Sequence, residues 1–291
     1  MKKSDWSQYL YLLPTFLLLS IFVFYPIVIN IYNGFFEFGL LSSSKLFVGM
    51  ENYIELFKDA IFRTSVTNNI LYVIFSFIFQ VLGGLVIAAI LEDVFFRRVS
   101  VLLRTVYFIP VLISMSVIGI LFTHIYNPDS GLLNDFLDLI GLESFTRGWL
   151  GDTSTSIFAV IAVSQWQSVG YGAMLYILAL QKIPNELYEA ATIDGAGRIK
   201  RFLHITVPQA KEMMFVMSVY TITGSFLVFN EVYVLTQGGP SNSSQVMSTY
   251  LYHKAFVDGE FGYGSAIANI MLILTLIFYF IQSKVFKTGE E

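Results

Sequence analysis

Few residues in this sequence are suited to covalent chemistry, and they are scattered. His124, His204 and His253 lie far apart, no His-Glu-x-x-His run occurs, and no cysteine supplies a thiolate or a disulfide. Gly195-Ala196-Gly197-Arg198 is glycine-rich, but no strand precedes it and no Gly-Lys-Ser/Thr follows at phosphate-loop spacing. The polypeptide is therefore not expected to hydrolyse ATP itself. Ser225 and His124 would make a nucleophile–base pair only if folding joined them, and nothing in the sequence supports that. Binding chemistry is better provided for. Gln165, Ser168, Gly172 and Tyr176 share one helical face, with Trp166 and Tyr171 beside it. Tyr220, Thr223, Gly224, Leu227, Asn230, Glu231 and Val234 form a second stripe. Amides that hydrogen-bond hydroxyls and aromatic faces that stack on ring C–H surfaces suit a polar, hydroxyl-bearing ligand. The candidate ligand-lining residues are thus Gln165, Trp166, Tyr171, Tyr176, Asn230 and Glu231. For the Trp and Tyr residues the alternative is packing or an interfacial belt. A carboxylate such as Glu231 within an apolar segment must be offset by a partner or by water, unless it reaches the interface ~6 Å away.

The elements that would position these side chains are hydrophobic and long. The chain has 291 residues, 55% of them hydrophobic and only 13% charged, with a mean hydropathy of +0.67. A soluble chain of this size would need more charge to cover its surface. Apolar runs able to cross ~30 Å of hydrocarbon recur, so an all-α integral membrane protein is expected. Six spans are drawn, at roughly 9–31, 66–91, 104–126, 157–180, 213–236 and 264–286. The N-terminal segment lacks a small-residue cleavage site and reads as a retained first span. With the N-terminus inside, twelve basic residues fall on the inner side: Lys2, Lys3, Arg97, Arg98, Arg104, Lys182, Arg198, Lys200, Arg201, Lys211, Lys284 and Lys287. Five fall outside: Lys45, Lys58, Arg63, Arg147 and Lys254. The bias places both termini and the 181–212 loop in the cytoplasm. Basic residues follow this topology rather than forming a patch, so no nucleic-acid partner is expected.

Pro14, Pro26 and Pro110 are expected to bend spans one and three. Gly83-Gly84 with Ala88 offers a small-residue surface for close helix approach. Outside the membrane, 47–57 reads as an amphipathic surface helix. In 131–152, Leu132, Leu133, Phe136, Leu137 and Ile140 fall on one helical face, with Asp135, Asp138 and Glu143 on the polar side. That acidic side could receive a soluble protein, or be a plain solvated face.

The 181–212 loop is the largest polar insert on its side. Pro184 can occupy a first helical turn, and Asn185 to Thr192 reads as a short helix with Glu186 and Glu189 near its positive end. Asp194-Gly195 marks a turn, and a second helix is expected from near Ala196 up to Pro208. There Ile199, Phe202, Leu203 and Thr206 share one face, away from Arg198, Lys200, Arg201 and His204. The product is a two-sided helical hairpin.

Glu189-Ala190-Ala191, then Asp194-Gly195-Ala196, then Phe202, Ile205 and Pro208 resemble the Glu-Ala-Ala loop of permease subunits in ATP-binding-cassette importers. Many members have a further proline where this chain has Glu212, which concerns only the exit of the loop. Phe47-Val48-Gly49-Met50-Glu51-Asn52-Tyr53, Thr236-Gln237-Gly238-Gly239-Pro240 and Gly262-Tyr263-Gly264-Ser265-Ala266 resemble segments of the maltose- and glycerophosphate-type permeases, the MalF-like partner of each pair.

The resemblance implies a type I importer permease fold with the permease domain at 63–283, an N-terminal segment at 1–62 and a tail at 284–291. It implies that Glu189, Ala190, Ala191, Asp194, Gly195, Ala196, Arg198 and Phe202, within a coupling loop of about 184–208, meet an ATPase. The partners it implies are a second, MalG-like permease, two ATP-binding-cassette ATPase subunits and an extracytoplasmic solute-binding protein, in a bacterial plasma membrane. No cofactor is expected on this chain, since ATP and Mg belong to the ATPase. A sugar or oligosaccharide is the expected solute, with a glycerol-phosphate-like solute as the alternative. An autonomous carrier or channel, or a membrane-embedded enzyme, would leave the hairpin unexplained.

Overall fold

The structure is a computed structural model that describes residues 7–39, 44–93 and 99–286. Lys2, Lys3, Arg97, Arg98 and Lys287, five of the basic residues used to orient the chain, lie outside them. The chain divides into two units, one of Met1–Asp59 with Leu251–Leu272 and one of Ala60–Tyr250 with Ile273–Glu291.

The first unit opens on helix α1, residues 7–33, with Pro14 inside it and a π turn at Ser20–Phe24 just ahead of Pro26. A wide turn accommodates a ring that cannot donate an N–H. Strands β1 (Phe36–Glu37) and β2 (Leu46–Phe47) pair antiparallel, with Phe36 opposite Phe47. Phe47 is thereby drawn into a strand, so the surface helix expected over 47–57 begins later, as α2 at Glu51–Lys58. α2 buries Tyr53 and Leu56, while Asn52 Nδ2 donates to the carbonyls of Gly34 at 2.9 Å and Phe36 at 3.1 Å. Asn269 Nδ2 donates to the Tyr53 hydroxyl at 2.9 Å, and Asn30 Nδ2 to Asn269 Oδ1 at 2.8 Å.

The second unit is built on α3, Ala60–Glu92. Its N-terminal half buries a polar row of Ser65, Asn68, Asn69, Tyr72, Ser76 and Gln80. Its C-terminal half buries Val81, Leu85, Ala88 and Leu91. Both sets recur every three or four residues, so one face of the helix stays inward throughout. Helices α4 (Ser100–Leu112) and α5 (Met115–Ile125) follow, bent by 101° at the break between them. The bend comes just after Pro110, and Gln167 Nε2 from a later helix donates to the Ile113 carbonyl at 3.2 Å. A side-chain donor thus serves backbone that the break leaves open. Then come α6 (Leu132–Leu139), α7 (Ser156–Leu180), α8 (Asn185–Ile193), α9 (198–209), α10 (Lys211–Phe226), α11 (Asn230–Leu235), α12 (247–257) and α13 (Phe261–Val285), the last two reaching both units.

Gly170 sets the crossing of α4 and α7: a Cβ there would stand 1.8 Å from the Tyr107 carbonyl oxygen. Such contact is how helices pack where lipid removes the hydrophobic drive. Gly84 and Ala88 of the expected small-residue surface are buried, and Gly84 lies against Gly172 and Ala173 of α7. The core against the C-terminal half of α3, here the inner core, gathers Val81, Leu85, Tyr176, Ile177, Leu180, Ala210 and Met217.

By length and composition alone, Tyr11–Asn33, Ala60–Glu92 and Phe261–Val285 can each cross a membrane, and the bent α4–α5 pair would make a fourth crossing. α7 coincides with the span drawn at 157–180, and its middle carries Ser164, Gln165, Gln167 and Ser168. Ser164 and Gln165 are buried against protein, which is how polar residues are carried inside a membrane bundle. The span drawn at 213–236 is interrupted: α10 stops at Phe226 and α11 starts at Asn230.

Candidate functional site: a hairpin and a polar cleft

Two features of the second unit bear on function. The first is the α8–α9 hairpin. Pro184 stands one residue ahead of α8, with extended ψ of 131°, and Glu186 lies in the first turn. At the far end Gly195 has φ of +75°, a left-handed conformation that costs any residue with a Cβ. Its N–H donates to the Thr192 carbonyl at 3.0 Å, and the Ala196 N–H donates to the Ala191 carbonyl at 2.8 Å. This pair of bonds is a Schellman closure, and it fixes the reversal at Asp194-Gly195-Ala196. Gly197 then caps α9, which starts at Arg198 rather than near Ala196 because Ala196 and Gly197 are used in the turn.

The apolar face expected on α9 divides in two. Phe202 is half-buried and Thr206 buried, and Phe202, Ile205 and Val207 pack on the inner core. Ile199 and Leu203 point outward, 77% and 53% exposed, alongside Ile193 at 87%. The two groups are adjacent ridges of one stripe, and the core covers only the Phe202 and Thr206 side, where a π turn spans Phe202–Thr206. Glu189, Ala190, Asp194, Gly195 and Arg198 are exposed, and Ala191 and Ala196 are half-buried. Arg201 Nη1 donates to the Thr192 hydroxyl at 2.8 Å, and the Tyr188 and Thr206 hydroxyls lie 3.0 Å apart. Just past the turn, Arg198 Nε lies 3.6 Å from an Asp93 carboxylate oxygen, and Glu92 pairs with Arg104. A cleft of about 700 Å³ runs between these groups and Asn185, Tyr188 and Phe202.

The second feature is a cleft of about 290 Å³ where α3, α7 and α10 meet the α10–α11 break. Asn230 and Glu231 line it, with Tyr220, Ser168, Gly224 and Leu227 from the two sequence stripes. Tyr72, Ser76, Gln80 and Ser164 complete the wall. Its lining has one carboxylate and no Lys or Arg.

The other path candidates lie elsewhere. Gln165 is 6% exposed and bonded at both ends of its amide, to Gln80 Nε2 at 2.9 Å and to Ser76 Oγ at 3.0 Å. Thr221 Oγ1 extends this chain to Gln80 Oε1 at 3.4 Å. Gln165 therefore ties helices together behind the cleft. Tyr176 is fully buried in the inner core. Trp166 packs edge-on against Phe122, and Tyr171 stacks at a tilt on Tyr220. The wall contributed by α3 went unnoticed in the sequence. Its signal was there: Asn68, Tyr72, Ser76 and Gln80 recur every four residues in an apolar run.

Residues 80–287 match the model of the family described as binding-protein-dependent transport system inner membrane component. The chain is 55% identical over 283 residues to a probable ABC transporter permease protein, YurN, of Bacillus subtilis, covering 97% of both. It is 33% identical to the arabinooligosaccharides transport system permease protein AraP of the same organism, covering 97% of this chain and 92% of AraP. Its fold is similar to a chain of a bacterial ABC transporter involved in import of the acidic polysaccharide alginate, with a TM-score of 0.83 and 22% identity over 99% of this chain and 97% of that one. These matches identify the architecture as the type I importer permease fold. The chain belongs to the binding-protein-dependent transport system inner membrane components, as a non-catalytic transmembrane subunit of an ABC importer.

Proposed function

We propose that this chain forms half of the translocation path for a sugar or oligosaccharide and receives ATP-driven motion through the α8–α9 hairpin. The observation that carries the reading is the hairpin's division of its apolar residues. Phe202 and Ile205 fasten it to the inner core, while Ile193, Ile199 and Leu203 are left for another protein to cover. Exposed apolar clusters on a rigid element are docking surfaces. The occupant is one of two ATP-binding-cassette subunits, which hold the ATP and Mg and meet Glu189, Ala190, Ala191, Asp194, Gly195, Ala196, Arg198 and Phe202. Closure of the ATPase pair displaces the hairpin as a body, and α7 and α10, joined to its two ends, shift between two packings.

The assembly lies in a bacterial plasma membrane with both termini inside. It contains a second, MalG-like permease and receives solute from an extracytoplasmic binding protein. Asn230 and Glu231 border the solute. A cleft lining without Lys or Arg favours an uncharged polyol over a glycerol phosphate, whose phosphate would need a cation. The name of AraP supports the same class. The test is uptake into vesicles holding the permease pair, the ATPase and the binding protein that co-purify with this chain. ATP-dependent accumulation of an oligosaccharide, lost on Ile199→Asp with assembly of the membrane subunits intact, supports the reading. Uptake that proceeds without the ATPase overturns it.

A further inference from the structure

We propose that Asn69 is the positioning residue of the polar cleft: one buried amide closes the end of α10 and the start of α12, and thereby fixes where Asn230 and Glu231 stand. The argument starts from the break. Between Phe226 and Asn230 the backbone is not helical, so the last carbonyls of α10 lose their intrahelical donors. Inside a bilayer such groups must find partners within the protein. Asn69 Nδ2 donates to the Ser225 carbonyl at 2.8 Å and reaches the Phe226 carbonyl at 3.5 Å. The same side chain accepts, through Oδ1, the Met247 N–H at 2.9 Å, an open donor at the first residue of α12. The Val228 carbonyl is taken by the Ser248 hydroxyl, one residue into α12.

A single side chain that serves a carbonyl and an N–H at once must carry both a donor and an acceptor, which an amide does and a carboxylate does not. Asn69 is fully buried, at 0% exposure. Its neighbour Asn68 has a different task. Its Nδ2 donates to the carbonyls of Ser243 and Gln245, both at 2.8 Å, in the loop before α12. Adjacent asparagines thus hold adjacent segments, and the hydrogen bonds to the end of α10 come from Asn69. Only the functional consequence of this arrangement rests on the cleft being the solute path.

The chain has no cysteine, so one introduced thiol is its only one. A cysteine at Asn230 reports on the segment past the break. A cysteine at Gly224, where a Cβ meets nothing within 4 Å, reports on the segment before it. The experiment measures alkylation of each by a water-soluble maleimide, using the full chain in native membranes. Asn69→Ala and Asn69→Leu should both change the rate at the Asn230→Cys site by about tenfold, as expected for an opened buried hydrogen bond. The Gly224→Cys site should stay within about twofold, the range of a change that leaves packing alone. Asn69→Leu keeps the volume and loses both donor and acceptor, so a wild-type rate in that variant overturns the proposal. An equal change at both sites, or the same change on Asn68→Ala, also overturns it, because either would mean general loosening. Should Asn69→Ala fail to insert, Asn69→Leu carries the same reading. In the assembled importer, Asn69→Leu should raise the half-saturating solute concentration at an unchanged maximal ATPase rate. Alkylation needs no solute. A labelling shift with unchanged half-saturation would therefore uphold the positioning role and count against the cleft as the path.

Discussion

Arg201 and Thr192, nine residues apart on opposite arms of the hairpin, are joined by a hydrogen bond of 2.8 Å. The Thr192 hydroxyl also donates to the Tyr188 carbonyl at 2.6 Å, so it links the guanidinium to the backbone of α8. Both side chains are accessible to water, and the bond is worth at most about 1 kcal/mol. Thr192→Val with Arg201→Ala should therefore show a coupling below about 1 kcal/mol in a double-mutant cycle. Hydrogen exchange of the amides from Ala190 to Ala196 is the measurement.

Gly195 is the costlier position. Its φ of +75° makes Gly195→Ala destabilise the turn by about 1–2 kcal/mol. Gly195→Asp adds a charge beside Asp194 and, like Glu189→Lys, alters a surface offered to a partner. Both variants should insert normally and hydrolyse ATP in the reconstituted importer, yet fail to couple hydrolysis to uptake. Normal stimulated uptake in both would remove these residues from the coupling surface.

Gln165 and Glu231 should behave as opposites. Gln165→Leu strands Gln80 Nε2 and Ser76 Oγ, and should lower thermal stability by about 1 kcal/mol, with the half-saturating solute concentration unchanged. Glu231→Gln should do the reverse, leaving the melting midpoint alone and shifting half-saturation. Detergent melting curves paired with uptake kinetics separate the two.

Gly170→Ala should disrupt the crossing of α4 and α7. The added methyl would stand 1.8 Å from a backbone oxygen, which cannot swing aside as a flexible side chain can. A loss of about 1–3 kcal/mol is expected. Gly224→Ala, where a Cβ meets nothing within 4 Å, is the matched control for melting.

In the loop before α7, the Asp152 carboxylate accepts from the Ser154 N–H and the Ser154 hydroxyl, both at 2.8 Å. These bonds, the backbone one first, hold its pKa below the ordinary carboxylate value of about 4. A depressed folded-state value means that the contribution is present above the ordinary value and lost as pH falls through the folded one. Protection of the Ser154 amide, corrected for intrinsic exchange, should fade below about pH 4. Asp152→Asn, which keeps the acceptor without the titration, should abolish that dependence.

The sequence made the hairpin legible because its devices are local. Asn185 to Thr192 is a short helix from its own residues, and Asp194-Gly195 announces a turn. The split of Ile199 and Leu203 from Phe202 and Thr206 was not legible, because an apolar stripe does not show how much of its width the neighbouring core covers. The cleft was half legible. Asn230 and Glu231 stood out as polar residues in an apolar run, and the structure sets both in one wall. Gln165 stood out for the same reason and proved to be bonded inside, because polarity alone does not reveal whether a neighbour already satisfies it, while Tyr176 proved to be packed in the core. The break at Leu227-Val228-Phe229 carries no proline or glycine to mark it. The carbonyls it leaves open are met from distant sequence, by Asn69 of α3 and Ser248 of α12.

The outward placement of Ile193, Ile199 and Leu203 has a cost for the cell that makes this chain. A greasy knuckle left in water is an adhesive, and in a subunit without its mates it is open to misassembly and to quality-control proteases. On the proposed docking, copies synthesised in excess of the ATPase should therefore be short-lived. The number of finished importers then follows from whichever gene product is scarcest.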